Sequence, residues 1–160
     1  MKYEIKMEKH ILLVGMPGSG KSTIAKRMSQ ERGVSCYEVD EMLEKKWRRS
    51  IAEFVEENGW EKFREEEFLM VKSIVNEPVG IISAGAGFFT TEEKVEFSLK
   101  HFEVLYLEVP IDELFNRLNT PEERIKRPLL SEGDLRLMLE QLFEERKRFY
   151  SFGLIIKGSI

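Results

Sequence analysis

The sequence predicts an α/β fold in which one parallel sheet carries helices on both faces, and three observations support that reading. Short strand-like runs recur at Ile11–Val14, Val34–Val39, Pro78–Ala84, Phe102–Leu107 and Leu154–Lys157. The stretches between them place apolar residues at helical spacing. Strand and helix alternate from one end to the other, and each crossover helix returns the chain to the same edge, so the five strands run parallel. Ligands of such sheets gather outside the carboxyl ends of the strands.

The elements follow in order. Met1–His10 is a polar, charged lead-in, and Ile11–Val14 is a buried strand. Gly15-Met16-Pro17-Gly18-Ser19-Gly20-Lys21-Ser22 then fits G-x-x-x-x-G-K-[ST], and Thr23–Arg32 is the helix this motif requires next. Glycines let backbone N–H groups turn inward as an anion nest, and the helix N-terminus adds partial positive charge. Lys21 reaches β- and γ-phosphates, and the Ser22 hydroxyl suits Mg²⁺. Gly15–Thr23 is therefore read as a nucleoside triphosphate site. Val34–Val39 is the second strand, with Glu38 and Asp40 at its carboxyl end. Asp40–Arg49 is helical, and Ser50-Ile51-Ala52-Glu53 is a capping box that opens another helix. After Gly59, Trp60–Val75 is strongly amphipathic.

The third strand, within Pro78–Ala84, runs into Gly85-Ala86-Gly87. Thr91–Lys100 is a helix, Phe102–Leu107 the fourth strand, and Pro110 suits the first turn of a helix ending near Leu118. Asn119–Asp134 is polar, contains two prolines and reads as a mobile excursion carrying Arg124, Lys126 and Arg127. Leu135–Tyr150 is the last long helix before the closing strand.

Composition narrows the setting. The 160 residues suit one domain with a real core, and the 34% of charged residues beside 42% hydrophobic ones excludes a disordered chain. A net charge of −4 argues against a nucleic-acid backbone as partner. The single cysteine, Cys36, excludes an internal disulfide and reads as a small buried apolar side chain. With no signal peptide and no bilayer-spanning run, the expected location is the cytoplasm, with no membrane partner.

Two arginines stand where apolar residues are expected. At about 100° per residue, Arg64 falls mid-stripe between Val71 and Val75, and Arg146 falls between Leu142 on one side and Leu139 and Tyr150 on the other. A guanidinium cannot shed its proton, so each needs an acidic partner or an anionic ligand. An internal ion pair satisfies one such arginine; a pair of them favours a shared anionic substrate bearing a carboxylate or phosphate. Asp40 is open to two readings, helix cap or a carboxylate of the site beside the phosphate loop, and Gly85–Gly87 to two more, tight turn or ligand wall.

The ordered set of motifs resembles shikimate kinase over nearly the whole chain after the first ten residues. It comprises the phosphate loop, Glu38-Val39-Asp40, Arg49-Ser50-Ile51, Phe63-Arg64, Gly85-Ala86-Gly87, Arg127-Pro128-Leu129-Leu130 and Arg146 to Tyr150. The resemblance implies a three-layer α/β/α P-loop kinase fold with a five-stranded parallel sheet. The chain would be a single domain, 1–160, with a mobile lid at about 119–134 and substrate-binding helices at about 40–76. It implies ATP-dependent phosphorylation of the shikimate 3-hydroxyl by a monomer. ATP would lie on Gly15–Thr23 and Arg127, and Mg²⁺ on Ser22 and Glu38. Asp40, Arg64, Gly85, Ala86, Gly87 and Arg146 would hold shikimate, with Lys21, Asp40 and Arg127 catalytic. Two positions depart from the family pattern: Glu38 stands where aspartate is usual, and Ala86 where glycine is. They leave open a kinase of another small carboxylated or phosphorylated metabolite, or a nucleotide-binding homologue impaired in transfer.

Overall fold

The computed structural model describes residues 7–127 and 133–158. Residues 1–6 of the lead-in, and Pro128, Leu129 and Leu130 with the middle of the expected lid, lie outside the described residues. The sheet is built around β1 (His10–Val14), whose run of branched apolar residues is buried throughout. β1 pairs in parallel with β3 (Gly80–Ser83) on one side and β4 (Phe102–Glu108) on the other. β2 (Ser35–Glu38) lies beyond β3 and β5 (Leu154–Lys157) beyond β4, giving five parallel strands in the order β2-β3-β1-β4-β5.

Alternation along the strands splits the core in two. Leu12, Val14, Ile82, Ala84, Val104 and Tyr106 face a large cluster filled by residues such as Leu43, Phe63, Val71, Val95, Leu114 and Leu139. These come from α2 (Val39–Trp47), α4 (Trp60–Ile74), α5 (Glu92–His101), α6 (Ile111–Leu118) and α8 (Leu135–Tyr150). Ile11, Leu13, Ile81, Leu105 and Leu107 face the other way, against Ile24, Ala25 and Met28 of α1 (Lys21–Arg32). Both faces carry helices, as the alternation predicts, but unevenly: among the described residues the second cluster draws its helical members from α1 alone. Leu154 and Ile155 on edge strand β5 are exposed.

Most boundaries fall within a residue or two of those expected, and the departures have local causes. The segment read as an irregular excursion contains α7 (Pro121–Lys126), because Thr120 Oγ1 accepts from the Glu123 amide at 3.2 Å and Pro121 occupies the first turn. Pro110 is the cap of α6 rather than a member of its first turn. Cys36 is half-buried rather than buried. The Ser50 half of the capping box forms at α3 (Ile51–Asn58), where Ser50 Oγ accepts from the Glu53 amide at 3.1 Å. No helix among the described residues is long and apolar enough to cross a membrane.

Two aromatic contacts of Trp47 hold the helices that border the site. Trp47 of α2 stacks on Phe54 of α3 with ring centres 3.7 Å apart and meets the edge of Phe63 on α4 at 6.3 Å. Phe54→Ala is expected to cost about 3–5 kcal/mol by opening a cavity among three helices, whereas Ser50→Ala is expected to cost about 1 kcal/mol through loss of one cap. Urea denaturation of both variants checks the ordering, and an equal loss from the two would contradict the packing assigned to Phe54.

Candidate active site

Because every strand points the same way, the carboxyl ends of β1, β2 and β3 open onto one edge, and the order of connections reverses at β1. The turn after β1 carries Gly15–Gly20, and Gly20 takes φ 91°, a left-handed conformation that starts α1 with its amides facing outward. Lys21 is buried and donates to the carbonyl oxygens of Gly15 at 2.9 Å and Met16 at 3.1 Å. Burial brings its ammonium down from 10.5 to about 7, opposed by the charge of Asp40 and reinforced by Arg127 and Arg146. Ser22 Oγ donates to Glu38 Oε2 at 2.9 Å, and Glu38 Oε1 is buried with no partner among the described residues. Burial raises the Glu38 carboxyl, and the Ser22 bond works against it.

Asp40 sits in the first turn of α2, but Glu38 holds the cap position there. The reading of Asp40 as a cap is therefore removed. Its Oδ1 is shielded from solvent and unpartnered among the described residues. Burial raises its carboxyl, against the pull first of Lys21 and then of Arg64. It stands under the influence of both cations at once.

The two misplaced arginines approach the turn after β3 from different helices. Arg64 lies against Gly87 so closely that any β-carbon there would collide with its guanidinium. Arg146 Nη1 donates to the Ala86 carbonyl oxygen at 3.0 Å. Gly85-Ala86-Gly87 is thus a wall packed by both arginines, not merely a tight turn. Ala86 carries no backbone strain: among the described residues the only non-glycine at positive φ is Arg48.

These groups share one cavity of about 810 Å³. Lys21, Ser22, Thr23, Glu38, Asp40, Arg64, Gly85, Ala86, Gly87, Arg127 and Arg146 all line it, with Pro17, Gly18 and Gly20 of the loop. Gly15, Met16 and Ser19 do not. The Met16 side chain turns into the core, and Ser19 is buried behind the loop. Arg127 follows α7 and donates to Glu123 Oε2 at 2.5 Å. Tyr150 is buried and stacks on Tyr106 at 4.5 Å instead of facing the cavity.

Two further residues belong to the site. Glu67, one helical turn from Arg64, is 0% exposed and accepts from Arg64 Nη1 at 3.0 Å. Its other oxygen, without a partner among the described residues, lies on the Gly85 side near Asp40. The internal ion pair and the anion-facing cavity, set out as rival explanations of Arg64, are both present. Spacing by three from Arg64 is the signal for Glu67, masked by its place in Glu65-Glu66-Glu67. Arg117 of α6 donates to the Gly18 carbonyl oxygen at 3.0 Å and lines the cavity beside the phosphate loop. Nothing in the local sequence marks it.

A family model described as shikimate kinase matches residues 17–156. A shikimate kinase of Corynebacterium jeikeium is 38% identical over 144 residues, covering 90% of this chain and 75% of that protein. A bifunctional shikimate kinase/3-dehydroquinate synthase of Thermotoga maritima is 38% identical over 141 residues, which is 88% of this chain and 27% of that longer protein. The structure of a shikimate kinase from Acinetobacter baumannii in complex with shikimate superposes with a TM-score of 0.85 at 25% identity, over 92% of this chain and 82% of that one.

The Arg64–Glu67 pair gives the site a measurable acidity without any ligand. Burial pushes the Glu67 carboxyl from 4.5 up to about 7, against the attraction of Arg64. Between those values the folded chain keeps a proton that the unfolded chain has released, so burying Glu67 costs stability progressively as pH rises through that window. Glu67→Gln removes the titration. Its stability relative to the parent is expected to improve by on the order of 3 kcal/mol from about pH 5 to about pH 7.5, then to level off. Urea melts across a pH series measure this, and a pH-independent difference would show that Glu67 does not titrate there.

Proposed function

Since the chain belongs to the shikimate kinase family, we propose that its cavity joins ATP and shikimate and transfers the γ-phosphoryl group to the shikimate 3-hydroxyl, giving shikimate 3-phosphate and ADP. The observation that carries the residue roles is the placement of Asp40 under the influence of Lys21 on the phosphate side and Arg64 on the acceptor side of one cavity.

ATP lies with its phosphates on the loop amides of Gly15–Thr23. The Lys21 ammonium leaves the Gly15 and Met16 carbonyls for the β- and γ-phosphates, whose charge restores its proton affinity. Arg127, on the wall contributed by the α7 segment, offsets charge on the transferring group. The residues present suit Mg²⁺: a hydroxyl and a carboxylate lie side by side, and Glu38 Oε1 is buried without a partner among the described residues. Ser22 and Glu38 would hold the ion. When bound, magnesium would neutralise phosphate charge.

Arg64 and Arg146 take the shikimate carboxylate between them, and Gly85, Ala86 and Gly87 form the wall beside the ring. Fixing the carboxylate places the hydroxyl, so positioning supplies much of the rate. Asp40 accepts the hydroxyl proton as the oxygen attacks phosphorus, and its raised proton affinity improves it as a base. One chain supplies every group in this scheme, so a monomer suffices. The cytoplasm is the compartment the reading fits.

A coupled ADP-release assay with shikimate, followed by product identification, tests the reaction directly. Asp40→Asn is expected to lower kcat by about 10²- to 10⁴-fold. Arg64→Ala and Arg146→Ala are each expected to raise KM for shikimate roughly 10- to 100-fold while leaving KM for ATP nearly unchanged. An unaltered shikimate KM in both arginine variants would refute the clamp.

A further inference from the structure

Trp60 lines the cavity beside Arg64 and has no part in the reaction above. Gly59, at φ 86°, caps α4, and Trp60 is the first residue of that helix. Its indole is half-buried, packed at the margin of the core. Trp60 and Arg64 are four residues apart, the spacing at which side chains on one helix face meet. The guanidinium carbon lies 5.4 Å from the centre of the indole and 5.1 Å from that of Phe63, and the two rings meet edge to face at 5.6 Å.

The neighbours of Arg64 act on it in different ways. Glu67 Oε1 accepts from its Nη1 at 3.0 Å and so occupies a donor. The turn at Gly87 presses on the guanidinium and bars movement that way. An aromatic ring attracts a guanidinium through its π face and takes no donor from it. Indole gives the strongest attraction of the aromatic side chains. It also displaces water from one side of the cation, so an ion pair formed there is screened less. A group with five donors, one of them committed to Glu67, keeps the others for an anion.

We propose that Trp60 is a positioning residue for the acceptor carboxylate: its indole holds and partly dehydrates the Arg64 guanidinium, so that the donors Glu67 leaves free are set before the anion arrives. A long arginine side chain that is already ordered loses little rotamer freedom on binding, and affinity gains by that amount. Phe63 is 3% exposed and committed to the core. Trp60 is the ring beside Arg64 that can be exchanged without emptying the core.

This inference rests on the assignment of Arg64 to the acceptor carboxylate, and steady-state kinetics of the full chain at two ionic strengths tests it. Trp60→Leu keeps an apolar side chain and removes the π face. KM for shikimate is expected to rise roughly three- to tenfold, with kcat and KM for ATP changed by less than about twofold. Raising KCl from about 0.05 M to about 0.5 M should increase that KM more steeply in Trp60→Leu than in the parent, because the pair is then screened by solvent. Trp60→Tyr, which keeps a ring, should stay within about twofold of the parent. Added to Arg64→Ala, Trp60→Leu should produce no further rise. Equal shikimate KM values for Trp60→Leu and Trp60→Tyr would overturn the proposal, as would equal salt slopes in Trp60→Leu and the parent. So would a full rise in the Arg64→Ala background, or a matching rise in KM for ATP, the mark of a general loosening. If Trp60→Leu does not fold, Trp60→Met provides the same comparison. A shikimate KM left unaltered by Arg64→Ala would instead refute the clamp on which the inference rests, and a parent chain that does not phosphorylate shikimate would refute the reaction itself.

Discussion

Parallel pairing of β1 with β3 on one side and β4 on the other is the constraint from which the site follows. It places the ends of β1 and β3 side by side, so the phosphate loop and the Gly85–Gly87 turn become neighbours although some seventy residues separate them. β2, next to β3, delivers Glu38 and then Asp40 to the same edge. An antiparallel strand at any of these positions would send its functional turn to the opposite edge. The helices contribute later in this order, since α4 and α8 bring guanidinium groups to a turn that the sheet has already positioned.

Charge in the cavity is arranged by compensation. Lys21 is cradled by backbone carbonyls, Arg64 by Glu67, and Arg146 by the Ala86 carbonyl. Each cation has a partner within the protein while keeping a face toward the cavity. A guanidinium has donors to spare, so an internal partner does not exhaust it. Arginine is thus suited to a role in which it must be stable before a carboxylate arrives and still bind that carboxylate. Buried ion pairs are expensive and weak evidence of stability; here the expense is matched by preorganisation.

The strand pattern, the phosphate loop and the arginines at mid-stripe were all legible because each is local or periodic. Ser50 and Tyr150 fell where spacing put them. Glu67 was harder to see because an acidic triplet reads as a solvated face, and only the rotation of α4 selects its third member for burial. α7 was hidden by its polarity, since a helix of six residues has too short a face to show a period, although Thr120-Pro121 marked its start. Arg117 reaches Gly18 across 99 residues, a contact that only the assembled sheet creates. The departure at Ala86 is a matter of family pattern rather than of geometry, and the backbone there is ordinary.

The aromatic cluster beside Arg64 has an optical consequence. The chain has two tryptophans, and both belong to it: Trp47 is stacked on Phe54, while Trp60 borders the cavity with the Arg64 guanidinium 5.4 Å from its ring centre. Neither lies on the phosphate loop. Intrinsic indole emission in this protein therefore surveys the half of the cavity that holds Arg64, with Trp60 sensing the charge state beside it. The phosphate loop, by contrast, is the unlabelled end.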